Sequence, residues 1–125
     1  MPPNAATICL LDDEPSVLKA LGRLLASEGL QTEKFSEPAR LLDHARRHVV
    51  HLAVIDLHMP RMTGFEVLAV LRAMSPETRV IMMTGENYAA HRTAALEGGA
   101  SAFFLKPFDD EEFLAAVRKI TGTTD

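Results

Sequence analysis

Five short strand-like runs, at residues 7–11, 30–35, 52–55, 80–83 and 102–105, recur along the chain, and each precedes a longer stretch with apolar residues at helical spacing. This alternation constrains the fold more than any other feature. Runs such as Thr7-Ile8-Cys9-Leu10-Leu11 and Leu52-Ala53-Val54-Ile55 are too short for helices, and their unbroken apolar character suits strands buried on both faces. Neighbouring parallel strands need a crossover, normally a helix, with right-handed connections. The pattern therefore predicts an α/β fold: a (βα)5 doubly wound, five-stranded parallel sheet with helices on both faces.

Local signals mark the helices. Pro15 suits a first turn, and Val17, Leu21, Leu24 and Leu25 follow until Gly29 ends the helix. The run 30–35 alternates instead of staying apolar, which places it near a sheet edge. Ser36 is the expected cap of the next helix, with Glu37 and Pro38 in its first turn, Leu41, Leu42 and Ala45 facing inward, and Arg46 and Arg47 at its end. Thr63 and Glu66 form a capping box ahead of Phe65, Leu68, Val70 and Leu71. A helix over residues 87–97 stops at Gly98-Gly99, and Asp109 and Glu112 make a second box ahead of Phe113, Leu114, Val117 and Ile120. This gives a leader at 1–6, one domain at 7–120, and a polar tail or linker start at 121–125.

With 13 Lys and Arg against 17 Asp and Glu, the net charge is −4, the wrong sign for gripping a phosphate backbone, so direct nucleic-acid contact is not expected. No apolar run approaches the ~20 residues needed to span a bilayer, so no membrane is expected. A single cysteine, Cys9, cannot bridge internally, and the first residues lack a signal-peptide pattern; the cytoplasm is the expected compartment.

In an open parallel sheet, functional groups gather beyond the carboxyl ends of the strands. Here those ends carry Asp12 and Asp13, then Asp56, then Thr84-Gly85, then Lys106-Pro107. Three carboxylates brought together raise one another's pKa unless a cation compensates. An all-oxygen donor set suits Mg2+, or Mn2+, better than zinc. A carboxylate flanked by a cation, a hydroxyl and an ammonium is equipped to attack phosphorus, because phosphoryl transfer asks mainly for position and charge.

These motifs resemble the receiver domain of bacterial two-component response regulators, the CheY-like superfamily, from about Thr7 to Ile120. The resemblance rests on Asp12-Asp13, on Asp56-Leu57-His58-Met59-Pro60 with Met62 and Gly64, on Thr84-Gly85, and on Lys106-Pro107-Phe108. It implies the flavodoxin-like strand order 2-1-3-4-5. It further implies that Asp56 accepts a phosphoryl group from a phosphohistidine on a sensor histidine kinase or histidine phosphotransfer protein. Asp13 and Asp56 would bind Mg2+ directly, with the His58 carbonyl as a further ligand and Asp12 acting through water. Thr84 and Lys106 would hold phosphoryl oxygens, Gly85 would keep the approach open, Pro60 and Gly64 would shape the loop, and Pro107 would follow a cis bond that aims Lys106. Thr84 and Phe103 would form the switch, read out by the fourth helix, fifth strand and fifth helix toward an output domain, an effector protein or a phosphorylation-dependent homodimer.

His58 and Glu86, each two residues past a key position, are the expected tuners of phosphoryl lifetime. The pair His44 and His48 lacks a third ligand and reads as exposed histidines, while His51 and His91 carry no signal. Two other classes compete. An aspartyl-phosphate phosphatase of the haloacid-dehalogenase type would place its nucleophile after the first strand in a D-x-D pattern, whereas here the acidic pair comes first. An unphosphorylated docking module would usually lack one of these positions, and none is missing.

Overall fold

The computed structural model describes residues 6–122. In chain order the elements are β1 (Ile8–Leu11), α1 (Pro15–Ala26), β2 (Thr32–Phe35), α2 (Pro38–Arg47), β3 (Leu52–Asp56), α3 (Gly64–Met74), β4 (Arg79–Thr84), α4 (Ala89–Glu97), β5 (Ala102–Leu105) and α5 (Asp110–Thr121). The strands form one sheet in the order β2-β1-β3-β4-β5, and every neighbouring pair is parallel. The leader at 1–6, apart from Ala6, lies outside the described residues. So does the tail at 121–125, apart from Thr121, which ends α5, and Gly122, which caps it with φ 74°.

Strand alternation sorts the core into two layers. Cys9, Leu11, Ala53, Ile55, Val80 and Met82 point to the face covered by α2, α3 and α4, where Leu41, Val67, Leu68, Leu71 and Ala95 meet them. Ile8, Leu10, Leu52, Val54, Ile81 and Met83 point to the face covered by α1 and α5, against Leu21, Leu25, Phe113 and Val117. β1 and β3 are buried along their whole length. β2, at the edge, is not: its central Glu33 and Lys34 are exposed, as its alternating sequence implied.

Several local expectations shift. α2 is capped by Glu37, not Ser36, because Pro38, with its fixed φ and missing N–H, takes a first-turn position and leaves Glu37 extended ahead of it. In α3 Leu68 and Leu71 are buried as expected and Val67 joins them, while Val70 lies 38% exposed. The Thr63–Glu66 capping box forms in both directions, but Asp109 and Glu112 make only its forward half, Glu112 N–H donating to Asp109 Oδ1 at 3.0 Å. α4 starts at Ala89, two residues later than its sequence suggested, and buries only Ala95.

α5 is fastened firmly by contrast. The Phe113 ring is fully buried, lies stacked on Phe108 at 4.9 Å between centroids and meets Phe104 edge-on at 5.7 Å. Truncating such a ring to alanine typically costs about 3–5 kcal/mol.

Candidate functional site

Register places the chemistry. Leu11 pairs with Ile55 across β1 and β3, so Asp12 and Asp56 are the next residues out along adjacent strands. Asp56 pairs with Met83, and Thr84 follows it; Thr84 pairs with Leu105, and Lys106 follows that. Backbone bonding continues past the strand ends, with Leu57 N–H donating to Met83 O at 2.8 Å and Lys106 N–H to Thr84 O at 2.7 Å. These positions are thus held by sheet geometry and not by loop conformation.

Asp12 and Asp56 are buried, whereas Asp13 is exposed. One carboxylate oxygen of each lies within 4.8 Å of the others. Lys106 Nζ stands between the two buried acids, 3.0 Å from Asp56 Oδ1 and 3.3 Å from Asp12 Oδ2. The second Asp12 oxygen accepts from Glu14 N–H at 2.9 Å.

Burial pushes the Asp12 carboxyl above its usual range, against the Glu14 N–H and Lys106, which favour the charged form. Asp56 is likewise pushed up by burial and by the Asp12 charge, with the Lys106 hydrogen bond opposing. For Lys106, burial favours the neutral amine, but its bonds to Asp56 and Asp12 together outweigh this and its pKa rises. One ammonium cannot neutralise three carboxylates, so the crevice keeps an excess of negative charge. That excess and the hard oxygen donors fit a small divalent cation such as Mg2+ or Mn2+.

Thr84 is buried at the end of β4, its Oγ1 accepting from Glu86 N–H at 3.1 Å. A Cβ on Gly85 would meet nothing within 4 Å, so packing does not demand glycine there. At Gly64 it does: an added Cβ would lie 2.7 Å from Asp56 O and 2.9 Å from Leu57 Cα, which keeps the start of α3 close to the end of β3. Pro60 lies in the intervening loop, where its carbonyl accepts from Met62 N–H at 2.8 Å. The Lys106–Pro107 peptide is cis. Phe103 is half-buried against the α2–α4 layer, and its carbonyl accepts from Arg92 Nη1 at 3.4 Å.

His58 and Glu86 meet: Nε2 lies 2.8 Å from Oε1, with both side chains about half exposed. A residue without any sequence signal joins them. One ring nitrogen of His91, in the first turn of α4, lies within 4.8 Å of the ligand atoms of His58 and Glu86. Sequence spacing could not show this, since His58, Glu86 and His91 come from a loop, a second loop and a helix. His44 and His48 stack on each other at 4.3 Å without a third ligand among the described residues.

Comparison with known proteins identifies the family and the fold. The sequence profile described as "Response regulator receiver domain" matches residues 8–118. The chain is 35% identical over 118 residues to the response regulator protein TodT of Pseudomonas putida, covering 94% of this chain and 52% of that one. It is 34% identical over 120 residues to the transcriptional regulatory protein FixJ of Azorhizobium caulinodans, covering 96% and 57%. The chain therefore spans about half the length of the curated relatives it matches. Among solved structures it superposes on the beryllofluoride-activated NtrC4 receiver domain dimer with a TM-score of 0.88 at 25% identity, covering 94% of this chain and 97% of that one. It superposes on the signal receiver domain of an HD domain-containing protein from Pseudomonas fluorescens Pf-5 with a TM-score of 0.89 at 25% identity, covering 98% and 91%.

Proposed function

The chain belongs to the response regulator receiver domain family of two-component signalling, with the CheY-like fold, and from that premise we propose that Asp56 is its phosphoacceptor. The observation that carries this reading is the buried Asp56 carboxylate at the centre of the sheet edge, bonded to Lys106 at 3.0 Å and grouped with Asp12 and Asp13.

The donor is a phosphohistidine on a sensor histidine kinase or phosphotransfer protein. An Asp56 oxygen attacks phosphorus in line, the P–N bond breaks, and its electron pair returns to the donor imidazole, leaving an acyl phosphate. Asp13 and Asp56, with the His58 carbonyl as a further ligand and Asp12 in support, would hold Mg2+ or Mn2+, which would supply positive charge to the phosphoryl oxygens. Lys106 gives up its bond to Asp56 and donates to a phosphoryl oxygen; Thr84 donates a second hydrogen bond from its hydroxyl. Gly85, with open space where a side chain would stand, leaves the approach clear. His58 and Glu86 flank the path of the water that later cleaves the acyl phosphate. The protein turns over no substrate but itself, and so is not an enzyme in the ordinary sense.

Movement of Thr84 toward the phosphoryl group releases Phe103 to turn further inward, shifting the population of the α4–β5–α5 face. That face carries exposed Tyr88, Leu96 and Leu105, and α4 is anchored by one buried residue, which suits a movable surface. Its partner is an output domain, an effector protein or a second phosphorylated copy; transcription control is one output, as the names of relatives such as FixJ indicate for those proteins. The receiver unit spans residues 7–120 and works in the cytoplasm; no helix among the described residues is long and apolar enough to cross a membrane.

Incubation with acetyl phosphate and Mg2+, read by intact mass, tests this. The wild type gains one phosphoryl group, and neither the metal-free protein nor Asp56→Ala does. Modification that survives Asp56→Ala moves the acceptor elsewhere, and steady hydrolysis of unrelated phosphate esters favours a phosphatase.

A further inference from the structure

We propose that His58, Glu86 and His91 form a second metal site, distinct from the acidic crevice, that takes an ion of the zinc class. The three residues present two imidazoles and one carboxylate, with ligand atoms all within 4.8 Å of one another. Imidazole suits Zn2+, Cu2+ and Ni2+ and is a poor ligand for Mg2+, so the two clusters select different ions. Neither shares a side chain with the other.

Geometry asks for small movements only. Ligands at ~2.0–2.1 Å from a tetrahedral zinc stand about 3.3 Å apart. His58 Nε2 and Glu86 Oε1, now at 2.8 Å, would open slightly while His91 closes. Three protein ligands and one open position is a common zinc arrangement.

A second observation singles out His91. Its Nδ1 is shut off from solvent and has no hydrogen-bond partner, although buried polar atoms are normally satisfied. The ring is held among aromatic neighbours, with Tyr88 edge-on at 5.1 Å, His58 at 5.5 Å and Phe65 at 5.9 Å between centroids. A ring constrained in this way, with one nitrogen within 4.8 Å of a carboxylate oxygen and of a second imidazole nitrogen, is organised for an ion before one arrives. An ordinary surface His–Glu bond would need only His58 and Glu86.

Binding would join the loop after β3, the loop after β4 and the first turn of α4 through one ion. Any resulting change in phosphoryl lifetime rests on the reading of Asp56 above; the binding itself does not.

The test is Zn2+ titration against a chromogenic chelator, using wild type, His58→Ala, His91→Ala, His44→Ala and Asp13→Asn, each checked for folding by circular dichroism. The wild type should bind one tight equivalent. His58→Ala and His91→Ala should each weaken it at least tenfold, while His44→Ala and Asp13→Asn keep it. Co2+ substitution should give the intense visible bands of a four-coordinate site in the wild type and lose them in His58→Ala. The proposal is overturned by a wild type that binds no zinc, by histidine-58 and histidine-91 variants that bind as tightly as wild type, or by loss of the tight site in Asp13→Asn or His44→Ala. Should His91→Ala fail to fold, the half-exposed His58→Ala decides alone.

Discussion

Two groups of potential ligands sit beside each other at one sheet edge, and they are built in opposite ways. Asp12 and Asp56 continue buried parallel strands, share a lysine and are held out of water. His58 and Glu86 ride on loops with about half of each side chain in solvent. The first arrangement fixes position at the cost of desolvating charge; the second leaves the charges hydrated and the positions adjustable. The first arrangement suits chemistry that needs atoms in line, and the second suits adjustment.

The largest effect that would break this division is on phosphoryl chemistry. Asp13→Asn should abolish uptake from acetyl phosphate, whereas the His58→Ala/Glu86→Ala double variant should still take up one group and differ from wild type several-fold in the rate of its loss. An unchanged rate removes the loop pair from any tuning role, and lost uptake merges the two groups into one machine.

Next in size is stability. Lys106→Met leaves two buried carboxylates without their shared partner. It should cost about 2–3 kcal/mol in urea denaturation of the metal-free protein, less than the ~3–5 for a wholly buried pair because Lys106 keeps some contact with water.

The slope with pH comes third. Asp12 and Asp56 are both raised by burial, so above the ordinary carboxylate pKa of about 4 the folded state holds more protons than the unfolded one. Stability of the metal-free protein should therefore fall as pH rises through that window and stay lower above it. Lys106, also raised, contributes in the other range: its stabilisation is complete below about pH 10 and is lost as pH climbs through its folded value. Asp56→Asn should flatten the acid-side slope in denaturant midpoints measured from about pH 4 to 8, and an unaltered slope would place its origin outside the crevice.

Smallest of all, Glu86→Gln should change stability by less than about 1 kcal/mol, since an exposed pair gains little. A larger loss would show that the loop pair is structural after all.

What could be read beforehand follows the same line. The alternation of apolar runs with helical stretches carried the sheet, because burial on both faces leaves a direct imprint on composition, and topology then brought Asp12, Asp56, Thr84 and Lys106 to one edge. Ser36 does not cap α2 because proline's fixed backbone overrides a side-chain preference. Val67 is buried and Val70 is not because a helix rich in apolar residues from Phe65 to Leu71 does not mark its own stripe. His91 was silent for a deeper reason: its neighbours His58 and Glu86 reach it through loop paths, and no periodicity encodes where a loop ends. Sequence position marks Glu86 and His58 separately, and only the folded chain shows them touching.

Cys9 lies fully buried in the middle of β1, between β2 and β3, and burial pushes its thiol up to about 12. A thiol so shielded and so rarely ionised reacts only when the helical layer over its face of the sheet lifts away. The chain thus carries its own stopwatch for core opening: the pace at which a thiol reagent labels this one sulfur reports how often the layer over β1 is lifted, and any ligand that steadies the fold should slow it in proportion.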